Sequence, residues 1–236
     1  MRRRQAQSYS EVKRLVDVGL RQYMLNVFSY MSVGLFLTAI VAYFASLSEG
    51  FMGFLFSSRL TFYAVALAPI GIVLYLGAKI NSMSAENARA LFFVYAAAVG
   101  LSMASIMVIY TAASIVSTFF VTSSMFLTMV LYGYSTQKDL TGWGSFLMMG
   151  VVGLIIAGLV NVFMQSSVAS LVISAIGVIV FTGLTAYDAQ MIKSYYLESD
   201  SSEVSGKKAV FGALHLYLDF INLFMHLLRF LGNRRN

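Results

Sequence analysis

Asp219 stands inside "LHLYLDFINLFMHLLRF", residues 214–230, a run apolar enough to lie in lipid that also carries His215, Asn222, His226 and Arg229. From Gly212 through His215, Asp219, Asn222, His226 and Arg229 to Asn233 the spacings are 3, 4, 3, 4, 3 and 4. That alternation places all seven on one continuous stripe of a helix. The other faces are almost entirely Leu, Phe, Ile, Met, Ala and Tyr. An ionisable side chain in such a helix faces protein or water, so Asp219 is a candidate for proton or ion chemistry. A second acid, Asp188 in "TGLTAYDAQMI", shares a helical face with Ser174, Phe181 and Thr185. Two carboxylates held close in an apolar interior share a proton, and one of them titrates nearer neutral pH. Asp219 is expected ~15 Å deep, ten residues into its span. Asp188 can meet it only if its own helix is displaced inward or the last helix begins outside the membrane.

The elements that must carry these residues are membrane helices. Of 236 residues, 59% are hydrophobic and 11% charged, and one is proline, a composition outside that of soluble domains. Residues 22–48, 60–78, 90–137 and 140–187 contain no Asp, Glu, Lys or Arg. A spanning helix needs about 20 apolar residues, so the short gaps hold one span each and the long gaps two each. "YTAAS" (110–114) and "QSS" (165–167) are the expected turns within the long gaps. The expected spans are 24–46, 60–78, 90–110, 115–135, 145–165 and 168–188, with the striped segment 209–231 as a seventh. The loop 189–208 is the one long polar connection expected. Gly150, Gly153 and Ala157 read as a close helix contact, and the 14 methionines as core filler.

The N-terminal 22 residues hold six Arg or Lys against two acids and lack the pattern of a cleaved signal peptide. They are expected to be a retained cytoplasmic tail, followed by one polytopic domain over 23–236. Residues 11–23 read as an amphipathic helix on the inner leaflet or as a helical extension of the first span. With the N-terminus inside, twelve of the sixteen basic residues fall on the cytoplasmic face. Arg229, Arg234 and Arg235 then lie outside if the last segment spans, and inside if it enters and returns; the span is the expectation. The net charge of +6 is accounted for by this topology and does not call for nucleic acid. There is no cysteine, hence no disulfide or thiolate site.

"LTAYDAQMI" and "LYLDFINLFMHLLRFLG", with the "YTAAS" turn and the "GY" followed by "KDL", resemble the bacterial branch of the Bax inhibitor-1 family from about residue 20 onward. The resemblance implies an all-α integral membrane protein of the inner membrane. Its seven transmembrane helices would be arranged with the last one central and enclosed by the other six. It also implies a pH-sensitive calcium leak whose sensor is a proton-sharing pair, here Asp188 and Asp219. Some relatives carry an arginine latch near the inner end of the second span, where the nearest equivalent is Lys79, a point charge without the bidentate fork. An acid found within that span in some relatives has no counterpart at 60–78, where Pro69 stands. Calcium prefers six to eight oxygens, so Asp188, Asp219, Asn222 and backbone carbonyls would need water to complete a weak, transient site. Weak binding suits conduction.

Blander roles stand beside these. His215 and His226 read first as packed neutral rings and second as pathway lining, Lys79 as a topology-setting charge, and Asp188 as either sensor or interfacial cap. No cofactor and no enzyme activity are expected, with calcium entering as the transported ion. An intramembrane aspartyl protease would need a Gly-x-Gly-Asp stretch where "YLDF" stands, and a metal hydrolase a third ligand beside His215 and His226. Two further readings remain: a regulator of a membrane quality-control protease, contacting it through the tail and the loop 189–208, and a proton-coupled transporter of a small solute.

Overall fold

The computed structural model describes the backbone of residues 2–235 and the side chains from Asp17 onward. Among the described residues there are eight helices: α1 (Arg2–Leu47), α2 (Glu49–Leu55), α3 (Arg59–Lys79), α4 (Ala85–Ile109), α5 (Ala112–Ser135), α6 (Thr141–Met164), α7 (Ser167–Ser194) and α8 (Ser202–Leu231). All but α2 are long and apolar enough to cross a bilayer, α1 through its portion Asp17–Leu47. The charge-free gaps give no sign of the short α2. Of the expected amphipathic segment 11–23, residues 11–16 have side chains that lie outside the described residues. The backbone there continues α1 without a break.

Hydroxyl side chains start most of these helices. Ser48, Ser58, Ser84, Thr111, Ser166 and Ser201 each accept the backbone N–H three residues on, at the N-caps of α2, α3, α4, α5, α7 and α8. Such a cap is worth about 1 kcal/mol against alanine. α6 begins differently. Asp139 Oδ1 accepts the Thr141 amide at 2.9 Å, and the Thr141 hydroxyl first, then this amide, holds the Asp139 carboxyl below the usual range. The Leu140 amide reaches Gln190 Oε1 of α7 at 2.8 Å. Both expected turns are present: Tyr110 and Thr111 separate α4 from α5, and Gln165, in the left-handed region at φ 52°, closes α6.

The connection between α7 and α8 departs from expectation. Both helices run on into the polar segment, leaving only residues 195–201 between them instead of 189–208. The 30 residues of α8 measure ~45 Å against ~30 Å of hydrocarbon, so the helix starts outside the membrane. Glu203 Oε1 accepts the Ala85 amide at the start of α4. Beyond the far end of α8 the chain pairs with the α4–α5 turn: the Thr111 amide donates to Asn233 O and the Arg235 amide to Ile109 O. The last helix therefore crosses from one end of the bundle to the other and does not return.

α8 packs mainly against α1, α4, α5 and α7, while α3 lies on α4 and α6 on α7. Of the six helices expected to enclose it, four flank it and two are peripheral. Burial agrees: 61% of the most apolar stretch of α8 is inside the protein, against 11% for α3 and for α6. A methyl added at Gly150 would meet Val180 at 3.0 Å, the close contact expected there, but Gly153 faces open space and takes no part in one. The tightest approach to another helix's backbone involves Gly133 of α5, where an added methyl would collide with the Ala186 carbonyl of α7. Gly133→Ala should therefore lower stability by ~1–3 kcal/mol, the usual cost of overpacking, whereas Gly153→Ala should melt at or above the parent. Thermal unfolding of the purified variants in one detergent measures both.

Candidate functional site

The polar stripe of α8 faces α7. Gly212 lies against Ile192, His215 Nδ1 is 3.1 Å from Asp188 Oδ2, and the His226 ring stacks on Phe181 at 5.6 Å between centroids. His226 fits there because α7 has Gly177 at the contact; a methyl at that position would stand in the imidazole. α8 also buries Leu216, Tyr217 and Leu223 completely.

Asp188 and Asp219 are almost fully enclosed, at 5% and 4% exposure. Their contact places His215 level with Asp188, and Asp219 follows one helical turn deeper. The early start of α8 removes the depth mismatch between the two acids. Both carboxyl groups are buried in the seam between α7 and α8, and Asp219 Oδ2 meets no donor among the described residues. A contact between two acceptors is repulsive, and it becomes a bond only when a proton lies between them. His215, a third exposed and edge-on to Phe211 at 4.6 Å, is the polar partner that Asp188 has on its other side. Tyr195, just past the end of α7, is also within electrostatic reach; burial first, then Tyr187 and Asp188, raises its hydroxyl above the ordinary value.

Not every expected residue joins this cluster. Lys79 is exposed at the end of α3 and makes no ion pair among the described residues, so it is not a latch on Asp188 in this structure. The side chain that meets Asp188 is His215. Asn222 donates to Leu218 O of its own helix at 2.8 Å and does not extend the carboxylate pair. Two basic groups near this end of the bundle are engaged: Lys193 donates to Tyr134 O at 2.8 Å, and Lys208 to Asp200 Oδ2 at 2.6 Å and Tyr195 O at 2.9 Å. No group of three His, Cys, Asp or Glu placed to hold a metal occurs among the described residues. A cation here would rest on two carboxylates and water.

Tyr217 belongs by spacing to an apolar face of α8, yet it carries a polar link. Its hydroxyl lies 2.7 Å from Thr38 Oγ1, which also lies 2.8 Å from Ala96 O. With Thr38 donating to that carbonyl, Tyr217 donates to Thr38, and one polar chain ties α8 to α1 and α4. The tyrosine ring sits between Phe92 and Tyr95, whose rings meet it edge-on.

The family described as "Inhibitor of apoptosis-promoting Bax1" matches residues 20–236, all of the chain but its N-terminal tail. The chain belongs to the Bax inhibitor-1 family. Among its relatives is the "Inner membrane protein YbhL" of Escherichia coli, 47% identical over 219 residues that cover 92% of this chain and 94% of the relative. An uncharacterised protein of Rickettsia prowazekii is 47% identical over 220 residues, covering 93% of each chain. One from Borreliella burgdorferi is 46% identical over 216 residues, covering 91% and 93%. This Bax inhibitor-1 chain thus matches its bacterial relatives over nearly their whole length, α7 and α8 included.

The acid pair makes a stability prediction. Asp219→Asn puts an amide N–H donor beside Asp188 at every pH, so its melting temperature should stay flat between about pH 5 and pH 8 while that of the parent varies. Asp219→Leu leaves Asp188 without that partner and should lose ~1–3 kcal/mol. Thermal unfolding of the three proteins across this range checks both.

Proposed function

We propose that this protein is a pH-sensitive cation leak of the bacterial inner membrane, with calcium as the passing ion and Asp188 and Asp219 as the proton-controlled gate. The observation that carries the proposal is the burial of two carboxyl groups, one helical turn apart, in the α7–α8 seam. With one proton between them they form a neutral bridge that joins the helices. Loss of that proton sets like charges against each other in a low-dielectric interior, and either the helices part or a cation enters to offset the charge. A hard cation held by two carboxylates and water binds weakly, as passage requires. His215, bonded to Asp188 and partly exposed, provides a route by which protons reach the pair from the polar end of α8. No cofactor or catalysis is part of the proposal.

The inner-membrane location is supported by the name of the Escherichia coli relative. The N-terminus is placed in the cytoplasm because that orientation puts twelve of the sixteen basic residues inside. Protein reconstituted in liposomes loaded with a calcium dye should admit calcium at a rate that changes between about pH 6 and pH 8. Asp219→Asn should abolish the flux or freeze it at one value, and His215→Leu should shift its pH dependence. Flux equal to that of empty liposomes at every pH would refute the leak. It would leave the regulator of a membrane protease as the role to test, through deletion of the tail and turnover of membrane substrates.

A further inference from the structure

At the end of the bundle where α8 finishes, the structure holds a second cluster of side chains that the acid pair does not use. Arg229 in the last turn of α8 and Arg234 in the tail beyond it line a cavity of about 440 Å³ with Asn161 of α6 and Ser170 of α7. The same two arginines form the wall of a neighbouring cavity of about 290 Å³ against the end of α4. Their proximity is built in. Arg234 pairs with Tyr110 in an isolated antiparallel bridge, and the Asn233 amide donates to Ser114 Oγ at 2.9 Å. The tail is thereby held in place and returns Arg234 to the side of Arg229.

The lining is rich in donors. Asn161 Oδ1 accepts the Ser166 amide at 3.2 Å, and its Nδ2 has no hydrogen-bond acceptor among the described residues. Among the described residues neither arginine makes an ion pair and no carboxylate side chain lines either cavity. The path of the helices puts Glu49 at this end and the other described acids within the seam or at the opposite end. The remaining walls, Val162 and Ile173, are apolar and continue into the exposed face of α6, where Leu159 and Phe163 are 60% and 87% exposed.

We propose that Arg229 and Arg234, with Asn161 and Ser170, form a binding site for a phosphate-bearing anion, the headgroup of an anionic phospholipid or a free phosphate. Two guanidinium forks match a phosphate in geometry as well as charge. The apolar wall opening on the lipid face of α6 favours a lipid, whose acyl chain would follow that face while the phosphate sits on the arginines. The site is separate from the Asp188 and Asp219 pair and stands whether or not the protein conducts ions.

The full-length protein, purified in a neutral detergent and mixed with chain-matched phosphatidylglycerol and phosphatidylcholine, should retain one phosphatidylglycerol in native mass spectrometry. Retention should fall at least tenfold in Arg229→Gln/Arg234→Gln and less in the double Lys variant, which keeps the charge but loses the forks. Arg59→Gln, a charge outside the cavity, should retain lipid like the parent. Displacement by inorganic phosphate alone would identify a free anion as the ligand, and resistance to it a lipid. Equal retention by the parent and the double Gln variant, both shown to be folded by their melting curves, would overturn the site, as would equal retention of phosphatidylcholine by the parent.

Discussion

A carboxylate in the middle of a lipid-embedded helix is tolerable only where another helix covers it, and this constraint organises the molecule. Asp219 belongs to a polar stripe that no lipid can face. α7 covers that stripe and supplies Asp188, while α1, α4 and α5 cover the apolar remainder of α8. The small residues on the covering helices serve the same need. Gly177 admits the His226 ring, and Gly133 lets α5 approach the α7 backbone closely. α3 and α6 lack this task and present most of their surface to lipid.

The same cover makes the interior sensitive to protons. Most buried polar groups in α8 are settled within the bundle: Tyr217 donates toward Thr38, and Asn222 bonds its own helix. The acid pair is different because its two members are both acceptors, and its sole way to become attractive is to hold a proton. Buried Thr182 Oγ1 and His226 Nδ1 lie on the same pair of helices and likewise meet no partner among the described residues, where the other such atom is the Tyr23 hydroxyl of α1. The unsatisfied capacity of the protein is thus concentrated in the α7–α8 seam, the place where a change of charge has the most effect on packing.

The two ends of α8 are fixed differently. At its start, Glu203 caps α4 and Lys208 binds Asp200 and the Tyr195 carbonyl, so the charges are paired. At its finish the backbone of the tail joins the α4–α5 turn, and Arg229 and Arg234 make no ion pair among the described residues. The helix is anchored at both ends with the acid pair between them, so strain created at the pair is borne by the seam with α7.

Much of this was legible in the sequence. Charge-free gaps require membrane helices because an unpaired charge is costly in lipid, and turns fall where a hydroxyl residue can cap the next helix. The 3, 4 spacing around Asp219 marked the stripe, and its residues do meet α7. Relative height and partnership were left open. A polar segment such as 189–208 can be loop or helix, and only packing against α4 and α5 decided that α7 and α8 extend into it and bring the acids together. Lys79 was the expected latch on Asp188 and His215 a packed ring or pathway lining; the fold left Lys79 exposed and put His215 3.1 Å from Asp188. The approach of Gly133 to Ala186, the open surroundings of Gly153 and the tie from Tyr217 to Thr38 could not be read from spacing. Helical periodicity states which residues share a face, and the choice of what that face meets belongs to contacts between residues far apart in the chain.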